Sequence, residues 1–280
     1  MNSRLRSTNM FRWFTTGILV LFCLSILMLV SADIAYVDRP AFLEIIRSSN
    51  IRSALLLSFV TSVFATALSV AVAIPAAYAL SRYHFRGMMV LDTMVDLLIV
   101  IPVLVIGISL LVLFRFAADF SESSFFIFRW IGIVAGRAGE FFIYTRPGIV
   151  LAQFFCAVSF GLRAIKATFD SIDPRKEEVA MTLGCTRWGA FERVTLPLAK
   201  PGIMAGALLS WARAFGVFGA VVIVGGSIRG RTEVLPTSIY LEMMVGNVKK
   251  ALAIALIMLL VASLVLVIVR SVSGKSVFGT

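Results

Sequence analysis

Long apolar segments without charge constrain this chain more than any other feature of its sequence. Five of them cover Trp13–Ala32, Ser53–Ser81, Leu97–Phe114, Pro147–Leu162 and Ala251–Val269. A sixth segment, Pro201–Ile228, is interrupted only by Arg213. Because about 20 predominantly apolar residues cross the hydrocarbon core of a bilayer as a helix, the sequence predicts six membrane-spanning helices. The fifth span in chain order, Pro201–Ile228, is expected to be one helix that carries Arg213 near its middle.

Composition excludes several other classes of protein. Hydrophobic residues make up 60% of the 280-residue chain and charged residues only 15%, whereas soluble chains average about 25% charged. The apolar segments do not alternate polar and apolar residues, which argues against a transmembrane barrel. Three cysteines are too few for a disulfide scaffold. The net charge of +11 is typical of cytoplasmic loops that face anionic lipid, and no nucleic-acid partner is expected.

Basic residues predict the orientation in the membrane. Arg4, Arg6 and Arg12 precede the first span and favour a cytoplasmic N-terminus. Six crossings would return the C-terminus to the cytoplasm. Val30-Ser31-Ala32 resembles a signal-peptidase site, but the apolar core of 20 residues exceeds that of a cleaved signal peptide. We therefore expect the first span to be retained in the membrane.

The predicted cytoplasmic loop between the fourth and fifth spans has the pattern of two short helices. Asp173 is expected to cap the first, with Pro174 at its first position. Gly184 is expected to end this helix in a left-handed conformation, and Thr186 to cap the second. Pro197 is expected to end the second helix. Pro201 would then open the next membrane span. Amphipathicity alone leaves open a hairpin that merely lies against lipid headgroups.

Spacing within this loop favours a more specific interpretation. The loop resembles the EAA signature of ABC importer permeases, which is E-A-A-x3-G-x9-I-x-L-P. Val179 replaces the second residue of this motif, and Val194 replaces its isoleucine. The matching positions are Glu178, Ala180, Gly184, Val194, Leu196 and Pro197. The resemblance implies that these residues, with Asp173, form a coupling helix region that docks on a separate ATP-binding subunit.

A wider resemblance extends over about residues 53–270, to the molybdate, tungstate and sulfate branch of these permeases. It rests on segments such as Thr182-Leu183-Gly184, Gly230-Arg231-Thr232 and Leu235-Pro236. Val217 departs from the branch, which usually has an acidic residue there. The resemblance implies an all-α integral membrane fold of the type I importer class. It divides the chain into an N-terminal arm with the first helix and external loop (1–52), a permease core (53–270) and a cytoplasmic tail (271–280).

The same resemblance implies the function and the partners. The chain would be the permease subunit of an ATP-driven importer in a bacterial or archaeal plasma membrane. Its partners would be two copies of an ATPase subunit, a second permease chain (identical or different), an external solute-binding protein and membrane lipid. ATP and magnesium would bind the ATPase, and this chain would hold no cofactor or metal. A permease for phosphate, iron or an amino acid is an alternative.

Four residues are candidates for the translocation path. Arg213 is the only charge in a predicted span, and a charge facing lipid at mid-bilayer costs about 3 kcal/mol or more. It is either an electrostatic lure for a dehydrating anion or a structural cation paired with a carbonyl or carboxylate. Gly216, Gly219 and Pro102 mark places where helices can bend. In the fifth span Gly202, Gly206 and Ser210 form a ridge suited to close helix contact.

Few residues of this sequence support a function as an ATPase or as an intramembrane enzyme. Gly274-Lys275-Ser276 resembles the end of a P-loop, but Val269 replaces its first glycine. His84 is the only histidine, and Cys156 has no nearby base in sequence, so an intramembrane enzyme is a distant alternative. Asp92 and Asp96 share one helix side near a span's end, where anchoring is the simplest role. A passive channel would not need an EAA-like loop.

Overall fold

A computed structural model describes residues 2–83, 85–119, 137 and 139–273 of the chain. All regular elements in these residues are helical. The expectations for His84 and for the P-loop-like residues Gly274–Ser276 fall outside the described residues. The helices, in chain order, are α1 (Asn2–Tyr36), α2 (Arg39–Arg47), α3 (Ser49–Arg82), α4 (Met88–Val100), α5 (Val103–Asp119), α6 (Arg146–Ser171), α7 (Arg175–Thr182), α8 (Arg187–Ala190), α9 (Leu196–Phe215), α10 (Gly219–Gly225), α11 (Leu235–Met244) and α12 (Val248–Ser273).

Helix lengths agree with a multi-span membrane protein. Four helices, α1, α3, α6 and α12, are each long and apolar enough to cross a bilayer. Two bent pairs, α4 with α5 and α8–α9 with α10, pass the same test together and bring the number to as many as six. The predicted number of spans is therefore compatible with the fold, but two of the spans are broken.

The third predicted span, Leu97–Phe114, is not one helix. Helix α4 ends at Val100, and α5 starts at Val103 at an angle of 112° to it. Ile101 between them is extended, with φ −61° and ψ 128°. Proline disfavours the helical conformation in the residue before it, so Pro102 turns the chain instead of merely kinking a continuous helix.

The single helix predicted for Pro201–Ile228 is also wrong. Helix α9 ends at Phe215, and α10 begins at Gly219 after a bend of 62°. Arg213 consequently lies in the last turn of α9 and not in the middle of a helix. The carbonyl groups at a helix C-terminus carry partial negative charge, which favours a cation at this position.

Small residues bring α6 and α9 into close contact. A Cβ atom on Gly206 would lie 2.7 Å from Ile165 Cγ1 and 3.0 Å from the Gly161 carbonyl oxygen. Ser210 Oγ donates a hydrogen bond to the Ala157 carbonyl oxygen at 3.3 Å. The predicted ridge of small residues on this span is thus confirmed as a helix-packing surface, where close backbone approach takes the place of hydrophobic drive in a bilayer.

The two broken spans meet each other. A Cβ atom on Gly107 of α5 would lie 2.8 Å from Ala220 Cα of α10, and one on Gly219 would lie 3.2 Å from Leu104 Cα. The break at Pro102 and the break after Gly216 therefore belong to one region of the molecule. Val217 and Gly219 beside the second break are buried, whereas Pro102 and Gly216 are exposed.

Gly107→Ala is expected to lower the free energy of unfolding by about 1–3 kcal/mol, because its methyl group overpacks the contact with the Ala220 backbone. Thermal unfolding of the purified protein measures the change. Gly17→Ala is the matched control, since a methyl group on that helical glycine would have no other atom within 4 Å. Equal melting temperatures for the two variants would contradict the tight α5–α10 contact.

Candidate functional site: the charged hairpin

Local capping builds the first helix of the hairpin, which we define as residues 173–197. Helix α7 begins at Arg175, one residue later than predicted, with Pro174 in the cap position. The Asp173 carboxylate still caps the turn, since its Oδ1 accepts the Arg175 N–H at 3.0 Å. Gly184 follows the helix with φ +94°, a conformation that glycine adopts without strain. Its predicted role as a stop is confirmed.

The second half of the hairpin runs without interruption into the membrane helix. Thr186 caps α8 as predicted, and its Oγ1 accepts the Gly189 N–H at 3.1 Å. Pro197 does not end the helix, and Pro201 lies inside α9 instead of opening it. A π-helical turn, Phe191–Thr195, joins α8 to α9, and the Leu196 N–H donates to the Phe191 carbonyl. This wider turn is followed by Pro197 in the first turn of α9, where a missing N–H is tolerated.

One edge of the hairpin exposes large apolar side chains. Leu183 is 82% exposed, Trp188 71% and Val179 57%. Glu178, Gly184 and Pro197 are exposed as well, whereas Ala180, Val194 and Leu196 are half-buried. Apolar side chains of this size rarely gather on a free surface without a partner. The outer edge therefore has the composition of a docking surface.

The opposite side of the hairpin is anchored by a buried carboxylate, Glu177, which is only 8% exposed. Its Oε1 accepts hydrogen bonds from Arg82 Nε at 3.0 Å and Thr195 Oγ1 at 2.7 Å. Its Oε2 accepts one from Tyr78 Oη at 2.7 Å. These bonds tie α7 to the end of α3 and to the π-helical turn.

The charge on Glu177 is stabilised by these neighbours. Burial alone would raise the pKa of Glu177, but the hydrogen bonds from Thr195, Tyr78 and Arg82 outweigh it and hold that pKa below its usual value. Arg82 is fixed in turn, because its Nη2 donates to the Ile172 carbonyl oxygen at 2.9 Å. A buried ion pair with these additional hydrogen bonds keeps the hairpin in one position.

Aromatic rings complete the anchor. Tyr78 packs edge-on against Phe191 with ring centroids 4.7 Å apart, and against Phe169 at 5.7 Å. Phe169 is fully buried at the end of α6. The base of the hairpin thus rests on α3 and α6 at the same point.

Sequence reasoning selected Glu178 and missed Glu177, Tyr78, Arg82 and Thr195 as parts of this site. One local signal was available: Glu177 shares a helix side with Ala180 and Met181, at offsets of three and four residues, and that side faces inward. The partners of Glu177 on α3 are 95 and 99 residues away in the chain. No local pattern connects positions so far apart.

The structure brings three of the four predicted path residues to one region. Pro102 lies at the break between α4 and α5, while Gly216 and Gly219 flank the bend after α9. Gly219 contacts Leu104, two residues beyond Pro102. Arg213 lies less than one helical turn before Gly216, and its guanidinium carbon is 5.2 Å from the centre of the Phe160 ring.

Arg213 has no carboxylate partner among the described residues. Its Nε atom is buried without a hydrogen bond, and no carboxylate in the described part of the chain lies within 4.0 Å of its guanidinium. The contact with the Phe160 face is a cation–π interaction. The charge is therefore held near the bend without being neutralised by an acidic side chain.

Asp92 and Asp96 serve as anchors. Arg163 Nη1 binds Asp92 Oδ1 at 2.7 Å, and its Nε binds Asp96 Oδ1 at 2.6 Å. Helix α4 has no fully buried residue, and only Met88, Val95 and Leu98 are half-buried besides Asp92. The two aspartates thus attach α4 to α6.

Comparisons with known proteins agree with this architecture. A family model described as "Binding-protein-dependent transport system inner membrane component" matches residues 69–277. The sulfate transport system permease protein CysT of Escherichia coli (strain K12) is 30% identical over 92% of this chain and 90% of its own length. The molybdenum transport system permease protein ModB of Mycobacterium bovis is 33% identical over 87% of each chain. The structure of a bacterial ABC transporter for the acidic polysaccharide alginate has a TM-score of 0.70 at 18% identity, covering 99% of this chain and 100% of that one.

The family model and the relatives place the molecule in the class of membrane permease subunits of ABC importers. The chain belongs to the family of binding-protein-dependent transport system inner membrane components. The family resemblance inferred from the EAA-like spacing is confirmed, as is the type I importer fold.

Glu177→Gln is expected to lower the free energy of unfolding by about 3 kcal/mol, because it leaves the buried Arg82 cation without its counter-charge. Glu178→Gln removes the same charge from an exposed neighbour and is expected to change stability by less than about 0.5 kcal/mol. Thermal unfolding, together with tryptic cleavage after the exposed Arg187, measures both effects. If the two variants melt and are cleaved alike, Glu177 is not the anchor.

Proposed function

We propose that this chain forms the translocation path of an ATP-driven importer for an oxyanion such as sulfate, molybdate or tungstate. Its hairpin docks on a separate ATPase subunit that holds ATP and magnesium. Two permease chains, identical or different, and two ATPase subunits make up the transporter, and an external binding protein delivers the solute. Both chain termini face the cytoplasm, and the hairpin lies on that side. The observation that carries the proposal is the hairpin itself. Its outer edge is apolar and exposed, and its inner side is held in place by the hydrogen bonds of Glu177.

The outer edge of the hairpin supports the docking role. Burial of a fully exposed leucine is worth about 1.5–3 kcal/mol, and Leu183, Val179 and Trp188 all offer such surface. A hairpin that merely rested on headgroups would not need a buried ion pair beneath it. The motif positions Glu178, Gly184 and Pro197 lie on the exposed side, and Asp173 caps the helix that presents them.

The continuous helix from Arg187 to Phe215 supports a lever mechanism. It spans about 40 Å at 1.5 Å per residue and joins the hairpin directly to the bend at Gly216. A rigid helix transmits a displacement at one end to the other, where Gly216 and the Pro102 break offer two places to bend. ATP-driven approach of the ATPase subunits would thus change the path near Arg213, Gly216, Gly219 and Pro102.

Arg213 is proposed to attract the dehydrating anion. A carboxylate partner would cancel its field, and none lies within ion-pair distance among the described residues. The cation–π contact with Phe160 orients the guanidinium and preserves its charge. The helix C-terminus stabilises the same cation, so a structural contribution accompanies the proposed role.

The oxyanion assignment rests on the relatives, which are named as sulfate and molybdenum permeases. Reconstitution with its ATPase and binding-protein partners tests it. We expect ATP hydrolysis to rise several-fold when the binding protein is loaded with sulfate, molybdate or tungstate, and to stay basal with phosphate. Stimulation by phosphate alone would favour the alternative solute class.

The Leu183→Asp variant, in the same reconstituted system, separates docking of the hairpin on the ATPase from the choice of transported solute. It removes the most exposed apolar side chain of the edge and is expected to weaken ATPase assembly at least tenfold, because about 1.5–3 kcal/mol of burial is lost. Thr182→Asp introduces the same charge at the neighbouring exposed position and retains Leu183. Equal assembly of the two variants would contradict docking through this edge.

Arg213→Met is expected to reduce solute-stimulated uptake at least tenfold while leaving assembly with the ATPase intact, because the side chain keeps its apolar volume and loses its charge. Arg213→Lys keeps a cation and is expected to retain part of the uptake. Vesicle uptake of radiolabelled sulfate or molybdate measures the effect. Normal uptake by the Arg213→Met variant would contradict a role of Arg213 in attracting the anion and leave it a structural role only.

A further inference from the structure

An apolar groove of about 810 Å³ opens between α1, α2 and α12. Ile34 of α1, Phe42 of α2, and Leu259 and Ser263 of α12 are among its walls, and Arg39 of α2 also lines it. Its volume is in the range of sites that hold small molecules. None of the residues that line the groove belongs to the hairpin or to the proposed path.

The groove lies at membrane depth and ends at a polar rim. Helices α1 and α12 are both long enough to span a bilayer, and no residue of α1 between Phe11 and Tyr36 is buried by the rest of the described chain. At one end Lys249 pairs with Asp38 and Lys250 pairs with Glu44. Such a concentration of ionic side chains marks the level of the lipid headgroups.

The rim carries excess positive charge. Asp38 and Glu44 are engaged by the two lysines and Glu242 by Arg229, whereas Arg39 and Arg47 of α2 have no carboxylate within 4.0 Å in the described part of the chain. Asp33 of α1, beside the groove residue Ile34, offsets one of these cations. Arg52 adds a third cation, since its Nη2 donates to the Arg47 carbonyl oxygen at 3.1 Å. A mobile anion would find complementary charge directly above an apolar groove.

The walls suit acyl chains better than another helix. Close helix association in a bilayer uses small residues that let backbones approach. The groove is lined mainly by branched and aromatic side chains, with Ser263 as its small residue. Flexible hydrocarbon chains can fill an irregular surface of this kind without matching a ridge.

We propose that this groove binds an anionic phospholipid, with its acyl chains between α1 and α12 and its phosphate at Arg39. The lipid would join α1 and α2 to α12 where direct protein packing is sparse. This inference is independent of the transported solute and of the ATPase partner.

Native mass spectrometry of the purified full chain tests the site with phosphatidylglycerol and phosphatidylcholine of identical acyl chains. The wild type is expected to retain phosphatidylglycerol about fivefold more tightly, the effect of one basic residue near an anionic headgroup. Arg39→Gln should remove this preference. Arg229→Gln, a cation on an exposed loop outside the groove, should retain it.

Groove filling gives a second, independent measurement. Ser263→Phe should displace both lipids, whereas Ser25→Phe, on an exposed part of α1 away from the groove, should displace neither. Size-exclusion chromatography verifies that every variant remains folded. The proposal is overturned if the wild type holds both lipids equally, or if Ser263→Phe retains the bound phosphatidylglycerol.

A second copy of the chain is the competing occupant. Ile34→Cys and Leu259→Cys chains, each in a background with Cys23, Cys156 and Cys185 replaced by serine, can be mixed and oxidised. No disulfide between copies is expected if lipid fills the groove. Efficient cross-linking between copies would assign the groove to a protein interface instead.

Discussion

The need to hydrogen-bond every backbone group inside a bilayer is the constraint from which the rest of this structure follows. Helices α1, α6 and α12 satisfy it internally, and α3 does so except at Pro75, which has no N–H to donate. Proline and glycine interrupt that pattern at Pro102 and after Gly216, and the two interruptions are packed against each other. The contact between them buries Val217 and Gly219, while Pro102 and Gly216 stay exposed.

The rigidly held hairpin and the bend at Gly216 consequently lie at opposite ends of one helical path. At the hairpin, Glu177 is held by Arg82, Tyr78 and Thr195, and aromatic rings fill the space beneath it. A continuous helix leads from there to the bend at Gly216. The proposed coupling of an ATPase to the path would use both a rigid end and an end that can bend, with the ion pair supplying the first and the helix breaks the second.

Local chemistry was sufficient to predict much of the hairpin and of the packing ridge. The stop at Gly184 and the cap at Thr186 depend on neighbouring residues alone, as does the run of Gly202, Gly206 and Ser210. The prediction that Pro197 ends a helix failed because a π-helical turn carries the chain past it. Pro102, Gly216 and Gly219 were predicted only as places where helices can bend, because hydropathy measures length and polarity, and not the direction of the chain.

The sequence by itself determined that this chain resides in a membrane, that a charged hairpin separates two spans, and that the hairpin resembles the coupling region of importer permeases. These properties follow from composition and from spacings of fewer than 20 residues. Only the tertiary structure decided that Glu177 and not Glu178 bears the anchor, and that the Pro102 and Gly216 breaks meet. Both depend on contacts between residues about 100 positions apart, which arise from helix packing and leave no local pattern in the chain.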